Sequence, residues 1–68
     1  MEFHYNKLRG RIIEKYGSQD KFADALGLST VSLSRKMTGK TPFSQSDIIQ
    51  WCTLLDIDQR NIGEYFFA

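Results

Sequence analysis

The stretch 19–40, QDKFADALGLSTVSLSRKMTGK, decides the fold. It is as rich in Ser, Thr and Gly as a loop, yet its apolar residues recur at helical intervals. Phe22, Ala23 and Leu26 share one face of a helix over Gln19–Leu26, with Ser18 as its N-cap. Gly27 ends that helix, where a positive φ is often required. A second helix starts at Thr30, capped by Ser29, runs to about Thr38 and stops at Gly39. Leu33 and Met37, four apart, point inward from it. The turn Gly27-Leu28-Ser29 has the length and the glycine expected of a helix-turn-helix corner. Ala23 is small where the two helices approach, and Leu28 and Leu33 fill the corner. A phosphate-binding loop competes for the same residues, because Gly39-Lys40-Thr41 matches its end. The required glycine five residues earlier is Ser34, so the nucleotide reading fails.

Working outward, Tyr5, Leu8, Ile12 and Tyr16 mark a first helix over about 5–16, followed by the stop Gly17. Thr41-Pro42-Phe43 reads as a connector. Ser44 and Asp47 form a capping box with Asp in place of Glu. The helix behind it runs to about Leu55 and carries Ile48, Trp51, Cys52 and Leu55 on one side. Asp58 caps a short fifth helix through Ile62, Tyr65 and Phe66. No run alternates at period two, so no strand is expected. The expected fold class is all-α: a compact bundle of about five short helices in a single domain, 1–68, with the helix-turn-helix unit at about 18–39.

Sixty-eight residues make one domain, and a chain this short buries only about 60% of its unfolded surface. Five Phe, three Tyr and one Trp supply the large side chains such a small core needs. A single cysteine, Cys52, and a single histidine, His4, exclude a disulfide framework and a metal site. There is no nucleophile–base set and no paired carboxylate, so neither an enzyme, a cofactor nor a small-molecule ligand is expected. No apolar run resembles a signal peptide or approaches the roughly 18 residues of a membrane span. A cytoplasmic, soluble protein is expected. The net charge of +1 hides a split: residues 1–40 carry +4 and residues 41–68 carry −3. Such a split suggests a face for a polyanion.

The order Gln19, Ala23, Gly27, Leu33, with Gly39-Lys40 closing the helix, resembles the helix-turn-helix of phage repressors and Cro. The further run LSRKMTGKTPFS, with I-I, L-L-D-I and Y-F-F beyond it, resembles small Cro-type proteins of phages of Gram-positive bacteria. One position departs: Lys36 stands where an apolar residue is usual, and Met37 takes the inward role. The resemblance implies a sequence-specific transcriptional regulator whose third helix enters the major groove of double-stranded operator DNA in a nucleoid-associated role. It places Thr30, Val31 and Arg35 on base edges, and Ser18, Gln19, Ser32, Lys36, Thr38 and Lys40 on phosphates. It also implies a homodimer on a two-fold operator, for which Trp51, Ile62, Tyr65, Phe66 and Phe67 are the candidate contacts. The alternative is a protein-interaction module, such as an anti-repressor that binds another repressor rather than DNA.

Overall fold

Three serines set where the middle helices begin. In the computed structural model, which describes residues 5–67, Ser18, Ser29 and Ser44 are extended and each side chain accepts the backbone N–H three residues on. The helices they open are α2 (Gln19–Leu26), α3 (Thr30–Met37) and α4 (Gln45–Leu55). The expected capping box is present, since Asp47 accepts the Ser44 N–H while its own N–H reaches Ser44 Oγ. Ahead of them lies α1 (Asn6–Tyr16). Behind them a 3₁₀ turn, Gln59–Asn61, is capped by Asp58 and leads into α5 (Ile62–Phe66). Asp58 therefore caps the turn rather than the fifth helix itself.

The stops of α2 and α3 follow one device. After α2, Gly27 takes φ +73°, its N–H reaches Asp24 O, and the Leu28 N–H reaches Ala23 O. This six-to-one and five-to-two pair is the Schellman arrangement, and a side chain at Gly27 would be strained there. Gly39 and Lys40 repeat it on Lys36 O and Arg35 O after α3. Helix α3 itself ends one residue short of Thr38, whose hydroxyl donates to Ser34 O.

Helix α1 is the spine: it packs against α2, α4 and α5, while α3 packs chiefly on α2. The core takes Leu8 and Ile12 from α1, Phe22 and Ala23 from α2, Leu33 and Met37 from α3, Trp51, Cys52 and Leu55 from α4, and Phe66 from α5. Tyr5 and Ile57 close it at two edges. Its centre is aromatic. Trp51 meets Phe22 and Phe43 edge-on at 4.9 Å each, and Phe43 meets Phe66 at 5.1 Å and Tyr5 at 5.6 Å. Phe43 thus stands at the hub of the ring cluster, although it belongs to the connector. Arg11 adds a polar clamp from α1: its guanidinium donates to Leu55 O and Asp56 O, both at 2.8 Å. These are free carbonyls at the C-terminus of α4, where positive charge is favoured.

Candidate functional site

The helix-turn-helix unit presents an open groove of about 530 Å³ between α2 and α3. Its lining is Gln19, Asp20, Thr30, Val31, Ser34, Arg35, Thr38 and Lys40. Packing dictates this exposure. Phe22, Ala23, Leu33 and Met37 turn inward, so at 3.6 residues per turn the residues between them must turn out. Val31 is 62% exposed, an apolar side chain left in water at the middle of the face.

Of the nine residues expected to touch nucleic acid, six meet in this groove: Gln19, Thr30, Val31, Arg35, Thr38 and Lys40. Three do not. The Ser18 hydroxyl accepts the Lys21 N–H as a helix cap. Ser32 is tied through its backbone N–H and its hydroxyl to Ser29 Oγ. Lys36 turns away and donates to Asp47 Oδ2 at 2.6 Å, with its side chain only 13% exposed. Its ammonium also lies 5.7 Å from the Phe43 ring centre. Met37 is inward and Arg35 outward, which settles how α3 accommodates a lysine in an apolar position. Asp20 and Ser34 line the groove without having been expected there. Asp20 sits in the first turn of α2, where a carboxylate favours the helix and an incoming phosphate is repelled.

Folding also dissolves the charge split. Lys7 pairs with Glu64 at 2.6 Å, Lys15 with Asp56 at 3.8 Å and Lys36 with Asp47. Each pair joins a base from residues 1–40 to an acid from residues 41–68. The expected basic face for a polyanion is thereby neutralised along α1, where Arg11 is also paired with Glu14. The exposed pairs contribute little to stability, so their consequence is for the surface potential.

Asp47 is the exception, because it joins the ion pair to a helix cap. The Lys36 ammonium first, and the Ser44 N–H second, hold its carboxyl below the usual aspartate range. A depressed folded pKa stabilises the fold at pH values above the unfolded value of about 3.9, and that stability is lost as the pH falls through the folded value. Asp47→Ala is expected to cost about 1–2 kcal/mol near neutral pH, through the lost cap and the half-buried Lys36 left alone. In urea melts the gap between variant and wild type should shrink below about pH 4. A gap unchanged by acid would contradict this role.

The dimer candidates separate. Trp51 and Phe66 are each 1% exposed and belong to the core, so they cannot face a second subunit. Ile62 and Tyr65 are half-buried against the same core, and Phe67 is 58% exposed. Tyr65, Phe66 and Phe67 are thus half-buried, buried and exposed in turn. Among the described residues no cluster of three or more His, Cys, Asp or Glu side chains could hold a metal. None of their helices is long and apolar enough to cross a membrane.

With this geometry in place, the comparisons redirect the functional reading. The solved structure of the modulator of repression (MOR) of the temperate bacteriophage TP901-1 from Lactococcus lactis is similar over 100% of this chain and 92% of its own. The identity is 35% and the TM-score 0.89. Nothing among curated proteins matches. The expected membership of the Cro family is therefore corrected, and with it the DNA-binding regulator acting on operator DNA as a homodimer. The helix-turn-helix pattern that carried the resemblance does not by itself fix a partner, since one fold hosts many functions. The all-α bundle stands, and the chain belongs, over residues 1–68, to the family described as "Protein of unknown function (DUF739)".

Proposed function

We propose that this chain is a phage modulator of repression that acts by binding a repressor protein. One observation carries the reading: the likeness to MOR extends over the whole chain, at an identity that goes beyond a shared fold. The mixed lining of the α2–α3 groove supports it. An acid, two bases and a bare valine suit a protein surface better than a uniform polyanion. The protein acts in the cytoplasm of the bacterial host as a non-catalytic binding module without a cofactor. Binding sequesters the repressor or alters its hold on its operator. The test is to mix the chain with the repressor of the same phage and measure the mass of the species by light scattering after size exclusion. A stable complex of defined stoichiometry is expected. Two proteins that elute independently at concentrations well above those in the cell would refute the proposal.

A further inference from the structure

Folding matches most of this protein's charges, and it leaves the unmatched ones together. Among the described residues the ion pairs are Lys7–Glu64, Arg11–Glu14, Lys15–Asp56, Lys36–Asp47 and Arg60–Asp58. Arg9 is half-buried, and its guanidinium reaches toward Met37 O. Asp20, Lys21 and Asp24 of α2, Arg35 of α3 and Lys40 just beyond it join none of these pairs, and all five are exposed. Among the described residues, these five therefore all lie in or beside the helix-turn-helix unit.

Four of the five are also sorted by sign, with Lys21 the exception on α2. Asp20 and Asp24 are four apart on α2 and lie side by side on its exposed face, with Lys21 at the edge of the pair. Arg35 and Lys40 lie across the groove at the far end of α3, as a basic strip. Exposed Val31 stands on the same groove. Apart from the helix-end preference of Asp20 and Arg35, these charges contribute little to the fold. They are suited to steering and registering a partner, because like charges brought face to face are strongly unfavourable and opposite ones favourable. A nucleic acid would meet Arg35 and Lys40 well but would be repelled by the acidic pair. A protein with both signs on its surface is repelled by neither.

We infer that the α2–α3 face docks on a repressor surface with the inverse layout. That surface places basic side chains opposite Asp20 and Asp24, carboxylates opposite Arg35 and Lys40, and an apolar side chain over Val31. This rests on the repressor-binding reading above and assigns it a face and a chemistry. The layout also fixes the register of docking, since a half-turn rotation would bring like charges together.

The experiment measures the affinity of the phage repressor for four versions of the full chain by calorimetry. They are the wild type, Asp20→Lys with Asp24→Lys, Arg35→Glu with Lys40→Glu, and Gln50→Lys on the exposed, uncharged side of α4. Each double reversal is expected to weaken binding at least 10- to 100-fold. Gln50→Lys is expected to bind within a factor of about two of wild type. Thermal melts of the two reversals should stay cooperative and lie within about 10 °C of wild type, because no ion pair among the described residues uses these side chains and only the helix-end preference of Asp20 and Arg35 is lost. If the wild type binds while both reversals bind equally well, the assigned face is wrong and repressor binding stands. The face is also wrong if Gln50→Lys weakens binding as much as the reversals do. If the wild type itself does not bind, the underlying reading fails and this inference falls with it.

Discussion

Trp51→Ala is expected to leave the chain largely unfolded at room temperature. Trp51 is 1% exposed and contacts Phe22, Phe43 and Phe66, with ring centres 4.9, 4.9 and 6.2 Å away. Truncating a buried aromatic to alanine costs about 3–5 kcal/mol, since the surrounding atoms collapse only partly into the space. Edge-on aromatic pairs add about 0.5–1.5 kcal/mol each. Native domains hold on the order of 0.05–0.15 kcal/mol per residue, and a chain this short buries a smaller fraction of its surface than most. The loss is therefore comparable to the whole stability. Circular dichroism should show a collapsed helical signal and no cooperative melt. A cooperative transition within about 5 °C of wild type would show that the aromatic cluster is not the keystone, since 1 kcal/mol shifts Tm by about 4–8 °C in domains of this size.

Leu33→Ala is expected to cost about 2–5 kcal/mol, and its effect should be uneven. Leu33 and Met37 are the only buried residues of α3. Removing Leu33 leaves α3 held by Met37 and by the corner at Gly27, while α1 and α4 keep their own contacts. Amide hydrogen exchange in α3 should accelerate more than in α1 or α4, as local opening of the least anchored element dictates. Repressor binding should weaken with it, because the α2–α3 face would no longer be held in shape. Met37→Leu conserves volume and should cost less than about 1.5 kcal/mol. Uniform acceleration across all helices would contradict this picture of α3.

Much of the architecture is legible from the chain, because it is written in local chemistry. Ser18, Ser29, Ser44, Gly27 and Gly39 are caps and stops whose roles depend on near neighbours in sequence. Met37 can be placed inward despite Lys36, because it stands one helical turn from Leu33. What stays hidden is long-range. Phe43 lies in a connector with no periodicity, so nothing in the sequence marks it as the hub of the aromatic cluster. Arg11 sits on the polar side of α1, yet it clamps carbonyls more than forty residues away. The charge split looks like an interface in sequence, and pairs such as Lys7–Glu64 fold it away.

The groove illustrates the same limit in function. Its geometry follows from the helix-turn-helix pattern, which is why six of nine expected residues meet there. Its partner does not follow, because one scaffold can serve different partners. Asp20 was the available signal. As a first-turn acid it is fully explained by the helix dipole, and only its place in the groove beside Arg35 and Lys40 makes it a statement about partners.

That this protein meets a repressor and not the operator can be tested directly. The direct measurement is fluorescence anisotropy of a labelled operator duplex, with the phage repressor and the chain added separately and then together. No sequence-specific binding by the chain alone is expected, and the repressor–operator curve should shift as the chain is titrated in. A chain that binds the operator by itself with sequence preference and steep salt dependence, while leaving the repressor curve unmoved, would contradict it.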